Sequence, residues 1–464
     1  MMSFFRASRS SVLNASAYLK SLSIGFEREE GRPPGPGTPF PWPDPPFAAG
    51  FEAAVRFDSR TIRNFALSSG DYNPLFTDPE YGKKTRYGSQ IVPNAALLLV
   101  RGAGGQGPNR PQGYPVGDFF SGLAWEFYDV LRVGTGRIRA TKKTSEFFEK
   151  AGSRGRLLFL IAANNYWDAH ADLIAKCYGT LILVPMEEMG GSRAMPVERL
   201  GEKLMYERGA SEATPEHVKE YVSKMESQKT RRGADTLYWE DVQVGEKLGP
   251  LIHPPFSLLD QISSGVVAAQ TRGPNQYNEG DDLTYEGIDF GGAYHRHKKR
   301  FGANESGTHP ITRWPWGPRD EHADAITAPF RGQPLPFDSG VRRTQAANRL
   351  FTDWMGDDGF VRRFQCALRK PLYYGDATYY TAEVVKKFKE VQEGDSEPGG
   401  IPGKHEYNVI GLKLEGSNQL GEVQMQGTVA VYLPSRESGP VQLPIPHKAK
   451  PDYVPYETFY RDWY

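Results

Sequence analysis

Alternating apolar and polar positions mark two similar sets of strands in this chain. In the first half, residues 125–130 lead through Gly134 and Gly136 into the alternating run 137–141, then the apolar stretch 156–163 and residues 178–185. The second half repeats the scheme: residues 371–376 lead into 377–384, then 408–414 and 426–434. Period-two patterning rich in β-branched and aromatic residues predicts strands, and the self-similarity predicts two like halves. A helical stretch precedes each set. Residues 93–100 are apolar nearly all round and predict a buried helix, and residues 344–355 predict its counterpart. A shorter helix is expected over residues 62–67. The pattern supports an α+β class with two similar halves.

Proline and charge divide the chain further. Residues 31–48 are so rich in proline that neither helix nor ladder can form, so residues 1–49 read as an extended arm. Two domains follow at 50–190 and 237–436, joined by a helical connector at 191–236, with a tail at 437–464. On the connector, Val218, Tyr221, Val222 and Met225 recur at helical spacing and predict one buried face. Residues 391–404 read as a loop between strands.

Composition narrows the function classes. The 464 residues carry 56 Lys+Arg against 56 Asp+Glu, so no overall field recruits nucleic acid or an anionic membrane. No apolar run is long enough for a spanning helix. Cys177 and Cys366 stand alone in strand-like surroundings and read as reduced core thiols. The first 26 residues hold Arg6, Arg9 and Lys20 and no acid, a transit-peptide composition, but a docked N-terminal arm fits as well. A cytoplasmic chain is expected, with mitochondrial import as the alternative.

The chemistry concentrates in residues 69–79, Ser-Gly-Asp-Tyr-Asn-Pro-Leu-Phe-Thr-Asp-Pro. This segment resembles the active-site signature of the MaoC-like (R-specific) enoyl-CoA hydratases, S-G-D-x-N-P-[LIV]-H-x-D-P. The resemblance extends over most of residues 50–185 and 237–434. It implies a double hot-dog: two antiparallel sheets, each wrapped round a central helix. It also implies an acyl-thioester hydratase or dehydratase that needs no metal or redox cofactor, takes an acyl-CoA substrate and associates as a homodimer. Such chemistry requires an acid and a base sharing one water, and N–H donors for the thioester oxygen. Asp71 and Asn73 match the family's acid and its partner amide. Phe76 stands where the family has its catalytic histidine and cannot carry a proton. Gly88 matches the segment that donates to the thioester oxygen.

The second half supplies a histidine. Residues 322–332 fit H-x-D-x3-A-x3-G, the spacing found downstream of the family's histidine, with Gly332 as its last position. The position equivalent to Asp71 is Val266, and an insertion at about 267–320 follows it. Asp320 or Glu321 could replace the missing acid beside His322, or Asp71 and His322 could form one site across the halves. The first arrangement is preferred on sequence. Gly340, ahead of the second central helix, and Arg296 and Lys298, in the basic run 295–300, are candidates for substrate binding. His-x-His there is a poor metal signal, and Asp168-Ala169-His170-Ala171-Asp172 could bind a metal but reads better as a strand edge or hairpin. The acids of residues 354–359 read as structural groups at a glycine-capped helix end. Two further readings stay open: a non-catalytic acyl-CoA-binding or scaffolding member, and a thioesterase on the same fold.

Overall fold

The computed structural model describes residues 55–100, 116–152, 155–170, 172–185, 208–228, 231–261, 284–285, 288–289, 311, 322, 324–326, 328–331, 333–397 and 400–448. The first half begins with β1 (Val55–Arg56), α1 (Ser59–Ser68), α2 (Pro74–Thr77) and α3 (Pro79–Lys84). A 3-10 turn (Asn94–Ala96) then runs into α4 (Leu97–Val100), and four strands follow: β2 (Val116–Phe127), β3 (Arg137–Gly152), β4 (Gly155–Trp167) and β5 (Leu173–Pro185). Helix α5 (Pro215–Ser227) lies between the halves. The second half holds β6 (Lys247–His253), a small hairpin β7 (Thr284–Tyr285) and β8 (Ile288–Asp289), helix α6 (Val341–Met355), and β9 (Phe360–Leu368), β10 (Thr378–Gly394), β11 (Gly403–Asn418) and β12 (Val423–Tyr432).

The strands form one antiparallel sheet of ten, in the order β1-β3-β4-β5-β2-β9-β12-β11-β10-β6. Read from the middle outwards, the two halves have the same order. The two antiparallel sheets expected of the resemblance are thus joined edge to edge in one sheet. The reason lies in the open edges: β2 and β9 each end their own half-sheet, and an unpaired edge is a row of unmet donors and acceptors. They pair with each other, from Gly122↔Ala367 to Glu126↔Arg363. Strand β9 carries no expectation from the sequence, because its run Phe-Val-Arg-Arg-Phe-Gln-Cys-Ala-Leu breaks the polar–apolar alternation.

Side-chain alternation decides which face of the sheet is covered. Along β10, Thr378, Tyr380, Ala382 and Val384 are buried while Thr381 and Glu383 are exposed. Helix α4 is buried all round, as its apolar run predicts. Helix α6 buries Ala346, Ala347, Leu350 and Phe351, a helical i, i+1, i+4, i+5 face, and packs on β6, β9 and β10. It also touches the 3-10 turn ahead of α4, so the two halves meet through their central helices. Cys177 and Cys366 are buried and unbridged.

Helix α5 departs from expectation. Its N-cap Thr214 and His217 form a capping box, but Tyr221 alone is buried, whereas Val218 and Val222 are 49% and 54% exposed. The helix rests along β6, with Tyr379 of β10 beside Tyr221 and Lys224, and leaves Val218 and Val222 largely uncovered. Strands β10 and β11 also run further than the sequence suggests, leaving only residues 395–402 as the loop. Among the described residues no helix is long and apolar enough to cross a membrane. The arm, the insertion and the tail fall largely outside the described residues.

A charge network sits at the seam. Glu126 of β2 lies 3.5 Å from Arg363 and 3.9 Å from Arg362 of β9, and Arg363 also holds Glu390. Burial pushes the Glu126 carboxyl upward, but Arg362, Lys176 and Arg363 overcome this and leave it at about 2. The backbones are close as well. A Cβ on Gly122 would run into the Cys366 carbonyl oxygen. Gly122→Ala is therefore expected to part the seam and lower unfolding free energy by about 2 kcal/mol or more in urea titrations. An unchanged midpoint would contradict the close approach.

Candidate active site

The signature segment folds as a cascade of caps. Helix α1 ends at Ser69, Gly70 turns the chain at φ 74°, and the Asp71 N–H donates back to Ala66 O at 2.9 Å. Glycine suits that positive φ. The Asp71 carboxylate accepts from the Asn73 N–H at 2.9 Å, and Asn73 Oδ1 accepts from the Leu75 N–H at 3.0 Å, capping α2. Pro74 follows at the first helical position, where a missing N–H costs nothing. Asp78 caps α3 through the Glu80 and Tyr81 N–H groups. Each short polar residue satisfies backbone donors of the next turn.

Helix α6 of the second half faces this cascade. Arg349 donates to Gly70 O at 2.8 Å, to Gln228 O at 2.7 Å and to Asp353 Oδ2 at 3.0 Å. Arg231 donates to Tyr72 O at 2.8 Å. Between the two lies a cleft enclosing about 680 Å³ of space, the solvent at its mouth included. Its walls are Asp71, Asn73 and Phe76 from the signature, Pro93–Ala95 ahead of α4, Gln345, Asn348 and Thr352 on α6, and the turn after α6 from Gly356 to Val361. Phe65, Tyr87 and Phe360 make much of the remaining surface apolar. Such a concave apolar site with a few convergent polar groups suits a small organic ligand.

Asp71 is the electrostatic focus. It is only 7% exposed. Burial raises its pKa, and the nearby Asp353 carboxylate adds to this, while the Asn73 N–H, Arg349 and Arg231 oppose it; the result is about 6. A carboxyl at that value exchanges protons near neutral pH, as an acid–base group must.

The other sequence candidates are dispersed. Phe76 is buried in the cleft wall. Gly88 sits at φ 63° in the turn before Ile91, outside that wall, which Pro93–Ala95 line instead. His322 is not among the residues lining this cleft; its Nδ1 is 2.7 Å from Phe337 O, its ring meets Phe337 edge-on, and Tyr374 donates to its carbonyl oxygen. Asp324 accepts from the Ile326 N–H. Gly340 precedes α6 at φ 77° and donates its N–H to Asp338. Asp320, Glu321, Gly332, Arg296 and Lys298 lie outside the described residues. Among the described residues no cluster could hold a metal ion, and Asp168 closes the β4–β5 turn by accepting from His170 and Asp172.

Sequence reasoning missed four cleft residues: Gln345, Asn348, Thr352 and Asp357. The signal was present for three of them. Polar residues spaced 345, 348 and 352 on a helix otherwise read as core form a stripe that needs a polar surface to face.

The raised Asp71 pKa makes stability depend on pH. Unfolded Asp71 releases its proton near 3.8 and the folded group near 6, so between these values the folded chain holds the extra proton. Stability therefore falls as pH rises through that window, and the full cost is present above it. Asp71→Asn retains an acceptor for the Asn73 N–H. It is expected to stabilise the chain by up to about 3 kcal/mol at about pH 8 and by little at about pH 3.5, read by denaturant unfolding. Equal stability of the two proteins at both pH values would contradict the burial argument.

Known proteins share this fold. Residues 52–177 match the family described as FAS1-like, dehydratase domain region. Curated protein sequences give no significant match. Among solved structures, a MaoC-like dehydratase superposes over 83% of this chain and 99% of its own, with a TM-score of 0.52 and 14% identity. A putative MaoC domain protein dehydratase from Chloroflexus aurantiacus covers 82% of this chain and 94% of its own, at TM-score 0.44 and 11% identity. A conserved hypothetical protein of Mycobacterium tuberculosis, described as having a double hotdog fold, covers 83% and 94%, at TM-score 0.42 and 10% identity. The chain therefore has the fold of the MaoC-like dehydratases, and residues 52–177 of its first half are similar to a FAS1-like dehydratase region.

Proposed function

We propose that this chain is a hydro-lyase that adds water to a 2-enoyl thioester, or removes it from the 3-hydroxyacyl thioester, in the cleft at Asp71. The observation that carries the reading is a buried carboxyl with a pKa of about 6 in the wall of a largely apolar cleft at the family signature. Hydration breaks a water O–H bond and the Cα=Cβ π bond, forms C–O at Cβ and C–H at Cα, and so needs a group that exchanges a proton at neutral pH. Phe76 cannot serve, and Asp71 can. The apolar wall would take the acyl chain. Gln345, Asn348 and Thr352 are the side chains available to hold the water and the thioester oxygen. A CoA thioester is the preferred substrate.

The sequence alone favours His322 with an acidic neighbour instead. The cleft geometry favours Asp71, because His322 is not among the residues of its wall.

Crotonyl-CoA and longer 2-enoyl-CoAs are expected to lose their enoyl absorbance with the intact chain, without release of free thiol. Asp71→Asn should lower kcat/KM by about 100-fold or more, while His322→Ala stays within a few-fold of the parent. Thiol release would establish a thioesterase, and binding without turnover an acyl-CoA-binding protein. Loss of activity in His322→Ala with Asp71→Asn unaffected would move the chemistry to the second half.

A further inference from the structure

The turn that ends α6 is built for more than capping. Gly356 ends the helix at φ 71°, and a Cβ there would press on Gly233 O at 2.9 Å and Asp235 O at 3.1 Å. The segment at 232–236 clamps the turn: the Asp357 N–H donates to Gly233 O, Arg232 donates to Asp353 O and Trp354 O, and the Thr236 hydroxyl donates to Asp358. This fixes Asp357 in the cleft wall, almost fully buried.

Its partners come from the other half. Tyr81 of α3 donates its hydroxyl to Asp357 Oδ2, and Tyr87 donates to the Asp357 carbonyl oxygen at 2.8 Å. Oδ1 is buried and accepts no hydrogen bond from the described residues. The contrast with Asp376, a structural carboxylate, is direct. Both oxygens of Asp376 are engaged, by Arg208, Ser211 and Gln419 among others. A buried acceptor left unpaired costs about 1–3 kcal/mol, and here the orphaned oxygen belongs to a carboxylate of a residue that lines the same cleft as Asp71. Burial raises the Asp357 pKa, the Tyr81 hydroxyl and Arg231 oppose this, and Asp358 adds to it.

We infer that Asp357 is the second proton-transferring carboxyl of the cleft, so that one acid from each half together replaces the missing imidazole at position 76. The inference rests on the hydro-lyase reading. In hydration, the Asp357 carboxylate takes a proton from water as the water oxygen bonds to Cβ. The Asp71 carboxyl gives its proton to Cα as the double-bond electrons move there. Asp357 leaves the step protonated and Asp71 ionised, and exchange with solvent restores both. Burial raises both carboxyls; at Asp357 the Tyr81 donor opposes it and supports the ionised form that a base requires, while the depth of Asp71 favours the protonated acid.

The test is the pH profile of crotonyl-CoA hydration by the intact chain. Asp357→Asn should lower kcat by about 100-fold with KM little changed, and should erase the acidic limb. Tyr81→Phe keeps Asp357 but removes the donor that stabilises its charge, so the acidic limb should move to higher pH. It covers the case in which Asp357→Asn fails to fold, as checked by circular dichroism. Asp357→Asn with full activity and both limbs, or Tyr81→Phe with an unmoved limb, would overturn the inference and leave the hydro-lyase reading standing. An intact parent chain that hydrates no enoyl thioester would overturn both.

Discussion

The pairing of β2 with β9 is the constraint on which the rest of the structure depends. It turns two half-sheets into one sheet of ten strands, and it fixes α6 of one half against the signature turn of the other. Without that seam Asp71 would lie at the surface of a single half. The seam is held in two ways. Gly122 lets the backbones approach, and Glu126 with Arg362 and Arg363 fills the adjoining space with opposite charge. Buried ion pairs give little net stability, but removing one partner leaves an uncompensated charge. The network thus penalises any other register of the two halves.

The cleft shows the usual conflict between a stable site and a reactive one. The cascade Asp71, Asn73, Asp78 satisfies one helix start after another and makes the turn rigid. The same burial that completes the turn strips water from the Asp71 carboxyl and raises its pKa. Arg349 shows how this is balanced: it ties Gly70 to α6 and sits close enough to lower the Asp71 pKa, while its partner Asp353 raises it. The net result is a group near neutrality rather than a permanent charge or a permanent acid.

Much of the architecture was legible in the sequence because it is local. Alternation at 377–384 and 426–434, the all-apolar run at 93–100 and the helix at 344–355 need only their own side chains to be read. The capping letters of residues 69–79 are equally local. What could not be read is what depends on partners far along the chain. The joining of β2 and β9 spans about 240 residues of sequence and rests on edges that carry no signal of their own. Asp357 looks like a helix-end acid, and only the folded chain brings Tyr81 and Tyr87 to it. The exposed side chains of α5 teach the reverse lesson: helical spacing of apolar residues marks a face but does not name what covers it.

The most direct measurement is a carbon-13 NMR titration of the Asp71 carboxyl in the intact chain, alone and with the unreactive butyryl-CoA. The account predicts a midpoint near 6 in the free protein and a displaced midpoint when the saturated thioester occupies the cleft. A midpoint near the ordinary aspartate value, unmoved by the thioester, would contradict it.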